Sequence, residues 1–369
     1  MHKLGFGFLR LPHIDPANEK DIDFELLCRL VDTFLTGGGK YFDTAYTYLE
    51  GGSEEALRRC VVERYPRDAF LLADKLPTWN LKEPTDCRKY FQEQLVRCGV
   101  DYFDYYLIHG LNRENYEISR KCDAFAFLKA QKDRGLIRQM GFSFHDEAAL
   151  LDRILTEHPE VDFVQLQINY LDWNSPSIQA GDCYAVACRH QKPVIVMEPV
   201  KGGMLASLPE EAHGLLQTRH PDWSDAAWAI RFAQDLDNVI VVLSGMNTME
   251  QMKDNLQDRP VLTAPEWTLL EQAAQIICSQ TAVGCTGCQY CAPKCPQKIA
   301  ISRYFALYNE YLRRPADLWK SQSAYAALGT GFGKASACVG CGACEACCPQ
   351  KLPIREHLAQ VAATFEIPK

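Results

Sequence analysis

Phe103-Asp104-Tyr105-Tyr106-Leu107-Ile108-His109 is apolar almost without a break and closes on a polar side chain. A strand covered on both faces reads this way, because neither side of its pleat meets water. The same kind of run recurs along the first 260 residues. Upstream lie Leu4 to Leu9, Tyr41-Phe42 and Phe70-Leu71-Leu72-Ala73. Downstream lie Met140-Gly141-Phe142, Phe163-Val164-Gln165-Leu166, Val194-Ile195-Val196-Met197 and Val239-Ile240-Val241-Val242-Leu243. That makes eight strand candidates, and helical patterns separate them. Asp23 to Thr36 places Phe24, Leu27, Leu30, Val31, Phe34 and Leu35 at helical spacing before Gly37-Gly38-Gly39 stops it. Ser53 and Thr85 read as N-caps, and Thr248 with Gln251 and Thr263 with Glu266 have the spacing of capping boxes. Buried strands that alternate with helices indicate a parallel sheet, and eight such units in roughly 260 residues match a (β/α)8 TIM barrel. An open doubly wound sheet is the alternative, but Arg10-Leu11-Pro12-His13 stands where that fold usually carries its glycine-rich turn.

The chain of 369 residues is 47% hydrophobic and 23% charged, with a formal net charge of -8. That composition suits a large globular domain with a small one beside it. A mildly acidic chain without a basic block predicts no nucleic-acid partner. No apolar run approaches the length of a membrane span, and the N-terminus lacks the apolar core of a signal peptide. The expected location is therefore cytoplasmic. Of the 17 cysteines, seven are scattered from Cys28 to Cys188 and ten crowd between Cys278 and Cys348. An odd, clustered set in such a chain points to a metal site rather than disulfides. It also divides the chain, into residues 1–280 and 281–369.

The polar residues that close the barrel runs are candidates for chemistry, since catalytic groups sit at the C-terminal ends of barrel strands. Asp43 closes the second run and Tyr48 follows it; Lys75 closes the third and His109 the fourth. A phenol has an ordinary pKa of about 10, and an adjacent ammonium should lower it. A carboxylate would hold that ammonium in place, and a neutral imidazole could orient a carbonyl oxygen. The set suits protonating an oxygen as hydride reaches carbon.

Tyr41-Phe42-Asp43-Thr44-Ala45-Tyr46-Thr47-Tyr48, Lys75-Leu76-Pro77 and Tyr106-Leu107-Ile108-His109 resemble the aldo-keto reductases. The resemblance implies a (β/α)8 barrel and hydride transfer with NADP(H) or NAD(H), bound without a Rossmann motif. It makes Tyr48 the general acid/base, Lys75 and Asp43 its tuning partners, and His109 the group that positions a carbonyl/alcohol substrate. It also places Ser143 and Gln165 against the nicotinamide carboxamide and Asn255 on the adenine side. Ser244, Gly245 and Asn247 lie before a helix start suited to a phosphate group. Phe144 stands where the family usually has Asn, and Met197 to Gly203 offers no aromatic ring for stacking on the nicotinamide.

Cys285-x2-Cys288-x2-Cys291-x3-Cys295-Pro296 is repeated as Cys338-x2-Cys341-x2-Cys344-x3-Cys348-Pro349. This is the two-cluster ferredoxin pattern, in which the fourth cysteine of each run serves the other cluster. One 4Fe-4S cluster is assigned to Cys285, Cys288, Cys291 and Cys348, the other to Cys338, Cys341, Cys344 and Cys295. Cys347 is a spare, since the Cys-Pro ending favours Cys348. Gly287, Gly340 and Gly342 would let the backbone close on the clusters. Zinc is the alternative, though zinc ribbons usually present separated pairs. A helical insert around Ile299 to Tyr311 separates the two runs, so the tail reads as a small ferredoxin-like iron-sulfur domain. The remaining cysteines read as buried apolar side chains.

Two uses of these parts remain open. In one, an oxidoreductase interconverts a carbonyl and an alcohol while its clusters exchange electrons with a ferredoxin-like partner. In the other, the tail is an electron-transfer module or redox sensor and the barrel mainly binds a nucleotide or flavin. Hydride transfer moves two electrons and each cluster one, so coupling them needs a converter such as a flavin.

Overall fold

Each apolar run becomes a strand. The computed structural model describes residues 3–15, 18, 21–313 and 318–366. Its strands are β1 (Leu4–Gly7), β2 (Tyr41–Asp43), β3 (Leu71–Leu76), β4 (Phe103–Leu111), β5 (Ile137–Phe144), β6 (Phe163–Gln167), β7 (Val194–Met197) and β8 (Val239–Ser244). All pair in parallel in chain order, and β1 closes on β8. β1 is shorter than its apolar run. Beyond Gly7 the chain turns, with only Phe8 N still donating to Asp43 O at 2.8 Å.

Alternation along the strands sorts the side chains. Tyr41, Ala73, Leu107, Phe163, Ile195, Val241 and Leu243 form one buried cluster, with Leu71, Tyr105 and Met197 against it. Successive strand residues point to opposite faces, so every second residue from these shares their direction. That parity takes Tyr41 to Asp43, Ala73 to Lys75, Leu107 to His109 and Phe163 to Gln165. Asp74 has the opposite parity, and its neighbours are Glu54 of the helix Gly52–Leu57 and Cys98 of the helix Pro84–Cys98.

Helix starts follow local chemistry, with two corrections. Asp23 caps the helix Phe24–Thr36 by accepting from Leu26 N at 2.9 Å. Thr263 and Glu266 form a full capping box. Thr248 accepts from Gln251 N, but the Gln251 side chain turns to Asn247 N, so only half a box forms. Ser53 is not an N-cap. It lies inside its helix, and its hydroxyl bonds Phe8 O at 2.9 Å and Thr44 Oγ1 at 2.7 Å. Thr85 is not one either: Glu83 takes that position because Pro84 fits the first helical residue, and Asp86 completes the box.

The chain packs as two units, Met1–Pro199 with Ala227–Leu262, and Val200–Ala226 with Thr263–Lys369. The packing boundary thus differs from the compositional one at 280. The helix Ala264–Ser279 packs on the helix Glu210–Gln217, and Glu266 receives both Arg219 (2.9 Å) and His220 (2.7 Å). In the second unit Val283, Ile299, Tyr304, Phe305, Tyr325, Leu358 and Val361 form a core that also contains Cys291 and Cys344. Helices Ile301–Arg313 and Leu318–Leu328 are the insert, and Ile354–Phe365 is the last described helix. Among the described residues no helix is long and apolar enough to cross a membrane.

Candidate active site and cysteine-lined cavities

The strand-end residues converge. Lys75 is 1% exposed; its ammonium donates to Asp43 Oδ1 at 2.5 Å and to Thr44 O at 2.7 Å. The same nitrogen lies 4.8 Å from the centre of the Tyr48 ring. The Tyr48 and His109 rings are 5.8 Å apart in an edge-to-face arrangement. Tyr48 leads into a turn in which Leu49 and Glu50 have φ of 50° and 55°. Two consecutive left-handed non-glycine residues cost about 1–3 kcal/mol each, and such strain persists only where the surroundings over-determine it.

Electrostatics depart from the sequence expectation at Tyr48 and not at His109. Tyr48 is pushed well above the ordinary phenol range, first by burial and then by the Asp43 carboxylate, with Arg10 opposing. Burial, not the expected lowering by Lys75, dominates. His109 is held well below the usual imidazole value by burial, then by Lys75 and His145. Near neutral pH the site therefore presents a protonated phenol and a neutral imidazole. His109 Nδ1 and Gln165 Oε1 are buried and have no hydrogen-bond partner.

Behind Lys75 lies a second layer. Asp74 Oδ1 accepts from Lys75 N at 2.8 Å, and Gln94 donates to Lys75 O at 3.1 Å while accepting from the Tyr106 hydroxyl at 2.5 Å. Glu54 and Asp74 sit together with Cys98, and Arg97 pairs with Glu54 at 2.8 Å. With one guanidinium for two buried carboxylates, burial and then the Glu54 charge push the Asp74 carboxyl well above its usual range.

The nucleotide-side residues are only partly gathered. Ser143 and Gln165 are register partners on β5 and β6, and Ser143 Oγ accepts from Gly110 N at 2.7 Å. Gly110 has φ +67°, and a Cβ there would meet Trp79 at 3.0 Å, so a larger residue would be strained. Ser244 closes β8 and its hydroxyl accepts from Asn255 at 3.1 Å. Asn247 donates its N–H to Gln251, and Gly245 is exposed beside Arg10. Sequence reading missed Arg10 and Trp79. Trp79 is 44% exposed with its ring 4.8 Å from His109. The available signal was its position, four residues past Lys75.

In the second unit the cysteines line two cavities. Cys285, Cys288, Cys291 and Cys348 line one; Cys295, Cys338, Cys341 and Cys344 line the other. Each draws three cysteines from one run and the fourth from the other, and Ile301 lines both. Cys347 lines neither, its sulfur lying 3.4 Å from Tyr290 O and 3.4 Å from Cys344 O. Gly287, Gly340 and Gly342 have φ of 66°, 70° and 74°. Of the remaining cysteines, Cys60, Cys87, Cys98, Cys122 and Cys183 are buried, but Cys278 is exposed.

The chain is similar to known proteins in both regions. Residues 284–352 match the 4Fe-4S dicluster domain. An aldo-keto reductase of Mycolicibacterium vanbaalenii is 30% identical over 227 residues, 60% of this chain and 74% of that protein. One of Mycobacterium avium is 25% identical over 268 residues, 72% of this chain and 83% of that protein. Among solved structures, an aldo-keto reductase from Bacillus halodurans in its holo form superposes with a TM-score of 0.60 at 24% identity, covering 73% of this chain and 91% of that one. One from Klebsiella pneumoniae in complex with NADPH has a TM-score of 0.56 at 19% identity, covering 73% and 90%. At these identities the structures speak for the fold alone. Residues 3–275 match the aldo/keto reductase family, and with that match covering most of its length the chain belongs to that family of oxidoreductases and carries a C-terminal 4Fe-4S domain.

Proposed function

We propose that the barrel interconverts a small carbonyl compound and its alcohol, using NADP(H) or NAD(H), and that the tail holds two 4Fe-4S clusters that exchange electrons with a ferredoxin-like partner. The observation that carries the barrel reading is the convergence of Tyr48, Lys75, Asp43 and His109, with a phenol kept protonated beside an imidazole kept neutral. When bound, the nicotinamide supplies the hydride. The chain's own residues do the rest. Tyr48 holds the proton that goes to the substrate oxygen. Lys75 stabilises the phenolate left behind, and Asp43 with Thr44 O fixes that ammonium. His109, buried and uncharged, offers a ring nitrogen to the same oxygen without competing for its proton. The acceptor left open on Gln165 fits the N–H of a carboxamide, and Ser143 lies at the next strand in register.

The two four-cysteine cavities support the ligand sets Cys285, Cys288, Cys291, Cys348 and Cys338, Cys341, Cys344, Cys295. The test is spectroscopic and kinetic. Anaerobically isolated protein should show a broad iron-sulfur band and oxidise NADPH with an aldehyde panel. Tyr48→Phe should stop the second while sparing the first. Carbonyl reduction at an unchanged rate in that variant would overturn the assignment of Tyr48. A structured flavin spectrum would instead favour a barrel that serves the clusters.

A further inference from the structure

The two cysteine-lined cavities both reach solvent, one past Gln289 and Tyr290, but they differ in whether a cysteine is itself exposed. None of Cys285, Cys288, Cys291 and Cys348 is exposed. In the other cavity Cys341 is exposed, and the neighbouring lining residue Val339 is 61% exposed. Phe332, 40% exposed, follows the same surface beneath the guanidinium of Arg303 at 5.3 Å.

The polar rim of this opening is basic. Lys298 is exposed between the lining residues Gln297 and Ile299, and its carbonyl accepts from Gly333 N at 3.1 Å. That bond sets exposed Lys334 one residue along from the same junction. Arg355, also lining the opening, is paired with Glu345 at 2.8 Å. The sequence repeats this sign on a larger scale. Residues 281–369 contain ten Lys and Arg against five Asp and Glu, whereas the whole chain has 39 against 47. A basic rim around an apolar, exposed loop opposes the field of an otherwise acidic chain, which a solubilising surface has no reason to do.

We propose that this face, Val339 and Cys341 with Lys298 and Lys334 around them, is the docking surface for an acidic one-electron carrier protein, and that the cluster of Cys295, Cys338, Cys341 and Cys344 is where electrons enter or leave. The inference rests on the proposed cluster reading and adds the partner's charge and the point of contact. One electron passes per encounter: the carrier is oxidised by one electron and this cluster reduced by one, with no bond made or broken. Opposite charge raises the encounter rate, and the apolar loop brings a cluster edge to the contact.

The experiment uses the full cluster-loaded chain. Its reduction is followed by stopped-flow bleaching with a reduced acidic bacterial ferredoxin and, separately, with the cationic methyl viologen radical. Binding of the oxidised ferredoxin is measured by calorimetry. In the wild type, both the ferredoxin rate and its affinity should fall as salt is raised. Lys298→Glu with Lys334→Glu should lower the ferredoxin rate about tenfold at low salt, and should not lower the viologen rate. An unchanged ferredoxin rate in that variant overturns the docking face, and so does an equal loss with both donors, which would mean the cluster itself was damaged. Iron and sulfide analysis separates this from the reading beneath it. Absent sulfide overturns both; normal sulfide with unaltered rates overturns the docking face alone.

Discussion

The barrel and the cysteine-lined tail solve the same problem, gathering distant residues, by opposite means. Asp43, Lys75 and His109 lie on three strands, yet backbone pairing and side-chain parity bring them together with no cofactor involved. The tail has no such ladder. Its described pairing is a single bridge between Ile299 and Gly333, and cysteines are part of its core. A hydrogen-bonded scaffold can present a site before anything binds, whereas a core built partly of ligands depends on what they hold.

The largest effect expected from this contrast is the response to iron removal. Chelation under reducing conditions should release about eight iron atoms per chain, given two 4Fe-4S clusters. It should also expose Tyr304 and Tyr325, which the tail core buries. Barrel signals, such as the buried Tyr41 and Tyr106, should persist. Tyrosine fluorescence and limited proteolysis of the stripped protein check this. A barrel that unfolds with the tail breaks the contrast.

Next in size is Tyr48→Phe, which should lower kcat by about 10²–10⁴-fold, the usual loss for one positioned general acid. Cofactor affinity and cluster absorbance should hardly change. Steady-state kinetics with fluorescence titration of NADPH measure both. A change confined to KM would mean the phenol binds substrate rather than moving a proton.

How far each region could be read from sequence follows from the same contrast. Strand runs and the closing Asp43, Lys75 and His109 were legible because period-two burial leaves its pattern in adjacent residues. The cysteine spacing was legible because it is local in the chain, and Cys348 rather than Cys347 lines a cavity with Cys285, Cys288 and Cys291. What could not be read is what depends on neighbours far along the chain. The raised Tyr48 phenol follows from its burial and then from the Asp43 carboxylate, and the Asp74–Glu54 pair arises from residues twenty apart. Ser53 looked like a cap because nothing local reveals that Phe8 O and Thr44 compete for its hydroxyl. The junction at 280 marks where composition changes, while Glu266 and the segment Val200–Ala226 bind the packing differently.

A smaller effect is expected behind the site. Arg97→Ala would leave Glu54 and Asp74 without the guanidinium now 2.8 Å from Glu54. Removing one partner of a buried pair costs about 3–5 kcal/mol, and Arg97 is 30% exposed, so about 3 kcal/mol is expected. Denaturant unfolding of the barrel should show it with the iron-sulfur band unmoved. An equal shift in both would mean that the two regions unfold as one.

The smallest effect is a pH dependence specific to His109. Its imidazole is held well below the ordinary value in the folded barrel, by burial first. In the unfolded chain it should titrate near about 6.5. Above that pH both states carry a neutral ring and His109 adds no pH dependence. Below it the unfolded chain binds a proton that the folded barrel refuses, so stability falls as pH falls, by at most about 1.4 kcal/mol per pH unit from this group. His109→Asn removes that proton. Unfolding free energies of wild type and variant, measured at intervals from pH 7.5 to 5, should therefore run parallel above 6.5 and converge below it. The buried carboxylates Asp43 and Asp74 titrate in both proteins and cancel in the difference. Parallel curves throughout would show that His109 takes up its proton equally in the folded barrel and the unfolded chain, so burial would not be what keeps the ring neutral for the carbonyl-orienting role.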